Sequence, residues 1–373
     1  MKLGDTINGY RVITRPGNDD AGKSVWAFAM KDGSQYFIKR FLEPKRPRSG
    51  STAGSRSREL RLQECREFER RQQEVADALE KRHGLPGTGN LVVPLDFFAD
   101  GSTYYKVTEK VDVADRRPES FSPREKLTLL RTLGLSLQSL HGIGIVHGDL
   151  KPTNILIQRK ADDSAFYRAR LIDFDDAYIS GHPPAAGIMG GDQFFGAPEF
   201  IRYLHGDSTV RARDLTVAAD VFSLALLTHH YLTESPPGHG DAFAAPAEAV
   251  AAGRSLRWDT RLSEPLRDLL TAMTFAAPTE RPDVGEFLET MKDPALCALS
   301  APATKAEPAT KAESATEARP VTRLRGRGSG DPRKGSPSSA KPGPSVSTTA
   351  AVPAPSPDKI SRLRINLGGD DRS

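Results

Sequence analysis

The sequence predicts a bilobal α+β fold, with a small β-rich N-terminal lobe, a larger helical C-terminal lobe and a disordered C-terminal tail. Three observations support this prediction. Short runs of apolar and β-branched residues separated by turn residues, typical of strands, occupy residues 8–42. From Pro123 onward, leucines recur every three or four residues, which is typical of a helix. Residues 300–373 are rich in Pro, Ala and Ser and nearly lack large apolar residues, so burial could not offset the entropy lost on ordering.

The composition excludes several classes of protein. The chain has 373 residues, of which 38% are hydrophobic and 27% are charged, so a packed core is expected for one large domain or two ordinary ones. No apolar run approaches the ~18 residues of a membrane span, and the N-terminus lacks the apolar segment of a signal peptide. The two cysteines, Cys65 and Cys297, cannot form a disulfide framework or a zinc cluster. These features predict a reducing, cytoplasmic setting.

The basic character of the chain belongs to its tail. The formal net charge is +4, but residues 300–373 carry 13 basic and 7 acidic side chains. The remaining residues carry 39 basic and 41 acidic side chains and are therefore close to neutral. A nucleic-acid-binding domain usually concentrates basic residues on a folded face, so we expect no specific nucleic-acid partner.

The elements follow one another in an order that places a cleft between two lobes. They are strands at 10–13, 24–29 and 36–41, a basic mobile loop at 43–58, a charged helix at 59–82, strands at 91–98 and 103–110, and helices from 123. The cleft between such lobes is the natural site for a ligand. Within the tail, residues 359–369 regain an apolar alternation. The segment is either a frayed terminus, which we favour, or a short motif that adds a strand to a partner or to the chain's own domain.

The densest polar cluster is the segment Ile145–Ile157, which reads IVHGDLKPTNILI. It holds Asp149, Lys151 and Asn154 at short spacing between two apolar anchors. A carboxylate, an ammonium and an amide arranged in this way suit the handling of a hydroxyl, a phosphoryl group and a metal ion. Further along, an apolar strand leads to Asp173 in the sequence IDFDD. Carboxylate oxygens are preferred ligands of Mg²⁺, which usually takes one or two of them beside substrate phosphates.

These two clusters resemble the eukaryotic-type protein kinase superfamily, specifically its bacterial Ser/Thr branch. The segment HGDLKPTN at 147–154 resembles the catalytic loop. By this resemblance, Asp149 would accept or orient the proton of the substrate hydroxyl, and Lys151 would contact the transferred phosphate. Asn154 and Asp173 would hold Mg²⁺, and Lys39 in YFIK would pair with the ATP phosphates.

The resemblance extends over residues 8–292, with an N-lobe of about 8–110 and a C-lobe of about 111–292. Glu109 and Val111 resemble the interlobe hinge, where backbone groups would meet the adenine base. Three further residues match structural positions of the family: Glu199 of GAPE, Asp220, which would support the catalytic loop, and Arg281, which would pair with Glu199.

The chain departs from the family pattern at the glycine-rich loop that would cover the phosphates. The sequence Gly17-Asn-Asp-Asp-Ala-Gly22 keeps two glycines, which would allow close approach of the backbone to phosphate. Asp19 and Asp20 lie between them and would repel phosphate unless they point away. We therefore expect either weak nucleotide affinity or a loop of different shape.

Three further departures follow the catalytic loop. Gly148 stands where most regulated kinases carry an arginine that pairs with an activation-loop phosphate. Residues 173–199 contain one Ser, Ser180, one Tyr and no Thr, so we expect activity without activation-loop phosphorylation. Asp175 replaces the glycine of D-F-G. Asp192 replaces a threonine and would have to use Lys151 as its partner.

The helix glutamate that would pair with Lys39 is ambiguous. Four glutamates lie in the predicted helix, namely Glu64, Glu67, Glu69 and Glu74. The Phe68–Glu69 dipeptide favours Glu69.

The resulting prediction is a Ser/Thr protein kinase that uses ATP and Mg²⁺ and acts on a protein substrate. Its input would come from a cytosolic regulatory partner, with the tail as a candidate docking segment. Two alternatives remain open. One is a pseudokinase that binds nucleotide and acts as a scaffold in a cytosolic signalling complex. The other is a small-molecule kinase of the same fold, such as an aminoglycoside phosphotransferase, although these usually lack Lys two residues after the Asp and the A-P-E element.

Overall fold

A computed structural model of the chain describes residues 1–18, 24–47, 54–82, 86–159 and 166–300. Outside the described residues lie Asp19, Asp20, Gly22, residues 48–53 of the basic loop and residues 301–373, which include the segment 359–369. Within the described ranges, the predicted order of a small β-rich lobe followed by a larger helical lobe is confirmed. No helix of these ranges is long and apolar enough to cross a membrane.

The N-lobe is a six-stranded antiparallel sheet with the strand order β1-β2-β3-β4-β6-β5. Its strands are β1 Thr6–Ile7, β2 Tyr10–Val12, β3 Ser24–Lys31, β4 Ser34–Phe41, β5 Pro94–Asp100 and β6 Thr103–Glu109. The turn between β3 and β4 is formed by Asp32 and Gly33, whose φ angles of 51° and 77° lie in the left-handed region that short hairpin turns require. The predicted strands at 24–29 and 36–41 are therefore joined by a short hairpin turn.

Alternation along these strands separates a core face from a cleft face. Ala27, Ala29, Ile38 and Val107 are fully buried in the core of the sheet. Their neighbours along the chain point the other way and line the cleft between the lobes. These cleft-facing residues are Trp26, Phe28, Phe37, Lys39, Lys106 and Thr108. Because side chains alternate with a period of two, the register Trp26↔Lys39 and Lys39↔Lys106 brings both lysines to the cleft face.

Helix α1, Ser55–Glu80, packs against this lobe and begins four residues before the predicted start. Its buried positions, which include Cys65, Gln72 and Leu79, recur at helical spacing. A small cluster of Phe41, Cys65 and Tyr104 joins the helix to the sheet.

The C-lobe is built around α2, Pro123–Gly142. Ser122 caps α2 by accepting from the Glu125 N–H, while the Glu125 side chain accepts from the Ser122 N–H, so the start expected at Pro123 is confirmed. The leucine stripe of this helix, including Leu130, Leu133 and Leu137, is fully buried in the largest core of the molecule. The other helices are α3 Pro198–Leu204, α4 Ala218–Thr233, α5 Pro246–Ala251, α6 Glu264–Met273 and α7 Val284–Thr290.

Two small antiparallel ribbons present the polar loops of the C-lobe to the cleft. Strand β8, Ile155–Arg159, pairs with β9, Tyr167–Leu171. Strand β7, Ile145–Val146, pairs with β10, Tyr178–Ile179. The polar loop 147–154 therefore runs from β7 to β8, and Asp173 follows β9.

Candidate active site

Two residues of the polar loop, Lys151 and Asn154, converge on the carboxylate of a third, Asp149. The side chain of Asp149 is nearly buried, and Lys151 Nζ lies 2.8 Å from its Oδ2 and 3.1 Å from its Oδ1. Asn154 Nδ2 donates to the same Oδ2 at 2.8 Å and to the Asp149 carbonyl oxygen at 2.8 Å. Asp149 is therefore held in one orientation by two charge-assisted contacts.

Asp220, near the start of α4, holds the beginning of this loop. Its Oδ2 accepts from the His147 N–H at 2.7 Å and its Oδ1 accepts from the Gly148 N–H at 3.1 Å. His147 Nδ1 accepts from the Asp149 N–H at 3.3 Å, so the ring proton lies on Nε2, which donates to the Ile172 carbonyl at 3.0 Å. The supporting role expected for Asp220 is confirmed, and His147 links the Asp149 loop to the segment that carries Asp173.

The ion pair expected between Glu199 and Arg281 is present. Arg281 Nη1 and Nη2 each lie 2.7 Å from one carboxylate oxygen of Glu199, and both side chains are buried. Arg281 also donates to the carbonyl oxygens of Ala218 at 2.9 Å and Phe275 at 2.8 Å. These bonds satisfy the guanidinium and tie α3 to α4 and to the end of α6.

Lys39 lies in the cleft as expected, but its partners differ from the prediction. Its Nζ donates to Asp173 Oδ1 at 3.0 Å and Oδ2 at 2.8 Å, and it lies 2.6 Å from Asp175 Oδ2. Asp175 Oδ1 accepts from Lys106 Nζ. These four residues, Lys39, Lys106, Asp173 and Asp175, are called here the phosphate end of the cleft.

The predicted pairing of Lys39 with Glu69 is wrong. Glu69 Oε1 instead accepts from Arg46 Nε at 3.0 Å and from the hydroxyl of Tyr104. The reason is the phase of α1: Phe68 takes the inward position against Phe41 and Tyr104, and a residue one step along a helix is rotated by about 100°. Among the other predicted candidates, Glu67 and Glu74 pair with Arg70 on the exposed side of the helix.

Sequence reasoning missed Lys106. A lysine in the middle of an apolar strand is unusual, and with the strand pairing known its position opposite Lys39 would have been evident. The sequence alone did not provide that pairing.

The far end of the cleft is apolar, which suits a flat aromatic base. Trp26, Phe28 and Phe37 form its roof, with Trp26 stacked on Phe37 at a centroid distance of 5.5 Å. Both predicted hinge residues line the cleft here, and the carboxylate of Glu109 binds Arg170. The backbone groups of the hinge, rather than the Glu109 side chain, are thus the ones available for a base.

Gly17 occupies a supporting position. Its N–H donates to the Trp26 carbonyl at 3.0 Å, and its own carbonyl accepts from the Trp26 N–H at 2.9 Å. Gly17 therefore fixes the roof residue Trp26 but is not among the residues that line the cleft.

The donor set fits Mg²⁺ and a nucleotide. Asp173 and Asn154 line the same cleft and offer a carboxylate and an amide oxygen, which is the number of protein ligands that Mg²⁺ takes beside phosphates. Lys39 and Lys106 supply positive charge at the same end. In the ranges that the structure describes, no group of three or more His, Cys, Asp or Glu side chains could hold a metal unaided.

The three aspartates of the segment IDFDD differ in the direction of their pKa shifts. Burial raises the pKa of the Asp173 carboxyl most, and the negative charge of Asp175 raises it further. Burial alone would raise the pKa of Asp175, but Lys106 and Lys39 lower it below its ordinary value. The pKa of Asp176 is raised to about 7, mainly by burial and also by the negative charges of Asp149, Asp175 and Asp173.

From Tyr178 to Ser180, the segment after Asp173 is held by contacts within the C-lobe. Tyr178 and Ile179 pair with β7, and the Ser180 N–H donates to the Gly144 carbonyl at 2.8 Å. Gly148 has a φ of 74°, and a Cβ there would lie 2.8 Å from the Asp176 carbonyl oxygen and 3.1 Å from the Tyr178 ring. The space that a side chain would need at position 148 is therefore occupied.

Asp192 does not take the role expected of it. Its Oδ1 accepts from the N–H groups of Phe194 at 2.8 Å and Phe195 at 2.9 Å. Lys151 bonds Asp149 instead. Although burial lowers the pKa of Lys151, the charges of Asp149 and then Asp192 raise it overall, so Asp192 acts on Lys151 only through its field.

Comparisons with known proteins agree with this geometry. Residues 64–291, more than half of the chain, match the family model of the protein kinase domain. The Mycobacterium tuberculosis protein "Serine/threonine-protein kinase PknE" is 32% identical over 158 residues, which cover 40% of this chain and 25% of that protein. The Oryza sativa protein "Calcium-dependent protein kinase 7" is 26% identical over 234 residues, 60% of this chain and 40% of that protein.

The human protein "Ribosomal protein S6 kinase alpha-1" is 26% identical over 220 residues, 55% of this chain and 28% of that protein. The chain therefore spans less than half the length of each of these relatives. The family match covers α1 from residue 64 onward, the hinge, the Asp149 loop and the Glu199–Arg281 pair together. The chain belongs to the protein kinase domain family, as the sequence predicted.

Proposed function

We propose that this protein is a protein-serine/threonine kinase that transfers the γ-phosphoryl group of ATP to a hydroxyl group of a protein substrate. The observation that carries the proposal is the convergence of Lys151 and Asn154 on the Asp149 carboxylate, beside a cleft lined by Lys39 and Asp173. The similarity to the Ser/Thr kinase of M. tuberculosis supports the same activity. A kinase domain over residues 8–292 and a cytoplasmic setting remain part of this proposal.

Asp149 would receive the hydrogen bond of the attacking hydroxyl and orient it. Its carboxylate is fixed by Lys151 and Asn154, so little reorganisation is needed when the hydroxyl arrives. Lys151 lies on the same carboxylate and would place positive charge next to the transferred group. Mg²⁺, when bound with ATP, supplies neutralisation of the phosphate charge.

Substrate phosphates would be held at the phosphate end of the cleft. Lys39 would hold phosphate oxygens, while Asp173 and Asn154 offer the oxygen ligands for the metal ion. The aromatic roof and the hinge backbone at Glu109 and Val111 would exclude water from the base. Phosphoryl transfer needs positioning and charge neutralisation more than covalent chemistry, and these residues provide both.

We propose in addition that activity does not depend on phosphorylation of the segment 173–199. Gly148 offers no cation for a phosphate, and the occupied space around it leaves no room for one. The pairing of β10 with β7 and the bond from Ser180 to Gly144 hold the segment without a phosphate. A regulatory partner that docks on the tail remains a proposal from the sequence.

The test is incubation of the purified full chain with ATP and Mg²⁺, read by intact mass and by transfer to a generic protein substrate. The Asp149→Ala variant is the control. Phosphate incorporation or transfer by the wild type alone supports the proposal. Nucleotide binding without any transfer by the wild type would contradict the proposal and favour a pseudokinase. The ion pairs of Lys39 with Asp173 and Asp175 also support that alternative, because they occupy the lysine that would bind phosphate.

A further inference from the structure

Two lysines face each other across neighbouring strands at the phosphate end of the cleft. Lys39 of β4 and Lys106 of β6 are direct partners in the antiparallel register, and both side chains point into the cleft. Directly opposed side chains on such strands have Cβ atoms about 4.5–5.5 Å apart, and like charges there are destabilising. The side chain of Lys39 is 12% exposed and that of Lys106 only 6%, so water screens little of the repulsion.

Asp175 resolves this repulsion by bridging the two ammonium groups. Its Oδ2 lies 2.6 Å from Lys39 Nζ and its Oδ1 accepts from Lys106 Nζ. Asp175 thus uses one oxygen for each lysine, and its own side chain is 16% exposed. Its backbone is also anchored, because Arg71 of α1 donates to the Asp175 carbonyl oxygen at 3.4 Å.

Lys39 has two carboxylate partners with different expected duties. Asp173 is the residue that we assign to the metal ion, so its carboxylate has to serve a second cation during the reaction. Asp175 has no such duty and can hold Lys39 in place when Asp173 is engaged. The four predicted glutamates of α1 lie elsewhere: Glu69 binds Arg46 and Tyr104. Glu67 and Glu74 bind Arg70, and Glu64 is exposed.

We propose that Asp175 and Lys106 are positioning residues for Lys39, and that Lys106 contributes a second positive charge to the binding of the nucleotide phosphates. The carboxylate that places Lys39 is then supplied from the end of β9 in the C-lobe and not from α1. Helix α1 then acts on Lys39 only indirectly, through the bond from Arg71 to the Asp175 carbonyl oxygen. The identity of the ligand rests on the proposed function. The positioning of Lys39 rests on the geometry of the four residues at the phosphate end.

The alternative is that the pair of Asp175 and Lys106 only stabilises the fold. A purely structural pair would change the thermal stability of the protein without changing how folded protein binds nucleotide. A positioning pair would change nucleotide affinity and turnover in variants that remain folded. The two explanations therefore separate in a cycle of single and double variants.

The test uses the full chain and compares Asp175→Asn, Lys106→Met and the double variant with the wild type. The matched control is Lys31→Met, because Lys31 lies at the end of β3 and is not among the residues that line the cleft. Thermal unfolding of the ligand-free protein is measured first. The affinity for AMP-PNP with Mg²⁺ is then measured by calorimetry, followed by kcat and the KM for ATP.

We expect Asp175→Asn to lower the midpoint of unfolding and to reduce both AMP-PNP affinity and kcat by about tenfold or more, because it leaves two opposed ammonium groups without their bridge. The double variant should regain most of the lost midpoint, because Asp173 then faces one lysine alone. It should not regain the lost kcat, because no second carboxylate holds Lys39 while Asp173 binds the metal ion. Lys106→Met alone should raise the KM for ATP several-fold with little change in kcat. Lys31→Met should match the wild type throughout.

The inference is overturned if folded Asp175→Asn protein binds AMP-PNP and turns over like the wild type, or if the double variant turns over like the wild type. Should the wild type show no turnover, the proposed kinase activity fails separately. The AMP-PNP affinities and the unfolding midpoints of the four variants then still decide whether Asp175 and Lys106 place Lys39.

Discussion

The Asp149 loop and the phosphate end of the cleft hold their charged groups in different ways. In the loop, the supports of Asp149 come from residues of the same lobe, with Asp220 binding two backbone N–H groups and Asn154 binding the carboxylate. At the phosphate end, lysines of two N-lobe strands meet carboxylates that follow β9 in the C-lobe. The loop keeps the pattern of its family, whereas the phosphate end rearranges it.

The difference shows which parts of the site tolerate change. A loop fixed by backbone hydrogen bonds has little freedom, because each lost partner leaves a buried polar group unsatisfied. An arrangement of four side chains from different elements can exchange partners as long as the charges balance. Two lysines and two aspartates at the phosphate end keep that balance even though the helix glutamate does not take part.

The largest effect is expected at the buried pair below the loop. Removing one partner of a buried ion pair leaves an uncompensated charge, so Glu199→Gln should lower the free energy of unfolding by about 3–5 kcal/mol. The matched control is the exposed pair Arg202–Asp207, where Arg202→Met should cost less than about 1 kcal/mol. Urea unfolding of both variants measures the contrast. Equal losses would contradict the distinction drawn between buried and exposed pairs.

The next effect concerns the support of the loop itself. Asp220→Ala removes the acceptor of the His147 and Gly148 N–H groups, so Asp149 loses its fixed orientation. Turnover should fall by about 100-fold, the range of misplaced catalytic groups, with nucleotide affinity nearly unchanged. Calorimetry with AMP-PNP and initial-rate kinetics on the same preparation test this. A parallel loss of nucleotide affinity would mean that the loop and the phosphate end are not independent.

Asp176 is influenced by both regions, because the charges of Asp149 and of Asp173 and Asp175 all act on it, and it should make stability depend on pH. Its folded pKa of about 7 is above its ordinary value of 3.8, so the folded state binds more protons than the unfolded state between these values. The stability contributed by this group is therefore full below about pH 4 and is lost as the pH rises through about 7. Asp176→Asn should weaken this loss. Urea unfolding of the wild type and of Asp176→Asn at pH 5 and pH 8 measures this loss of stability. Identical pH profiles of the two proteins would contradict the raised pKa of Asp176.

A smaller effect is expected for the helix glutamate. Because Glu69 binds Arg46 and Tyr104 near the surface, Glu69→Gln should leave the KM for ATP within about twofold of the wild type and cost at most about 1 kcal/mol of stability. Steady-state kinetics and urea unfolding check both values. A large rise in KM would show that α1 reaches Lys39 after all.

The smallest effect is expected in the segment after Asp173. Ser180→Ala removes the one serine of residues 173–199 but keeps the backbone bond from residue 180 to the Gly144 carbonyl. Turnover should therefore remain at the wild-type level when measured on protein treated with phosphatase. Loss of most of the turnover would contradict activity without activation-loop phosphorylation.

Local patterns predicted much of this molecule. The strand at 36–41, the leucine periodicity from Pro123 and the polar loop from His147 to Asn154 each depend on neighbours in sequence, and each is present. The contact between Glu199 and Arg281, far apart in the chain, was expected only because the family resemblance provided it.

The phosphate end could not be predicted in the same way. Whether Glu69 or Phe68 faces the sheet depends on the rotation of α1, and the loop before that helix obscured its phase. The role of Asp175 depends on the pairing of β4 with β6, which brings Lys106 beside Lys39. These are long-range contacts between side chains, and no periodicity in one segment encodes them.

The packing around Gly148 also limits how this protein could evolve. A Cβ at this position would lie 2.8 Å from the Asp176 carbonyl, and the backbone has a φ of 74° that larger residues rarely adopt. A single mutation that introduced an arginine here would therefore displace the neighbouring backbone before it could sense any phosphate. An arginine at position 148 would therefore require both a shift of the backbone at position 176 and a smaller side chain or a displaced ring at position 178.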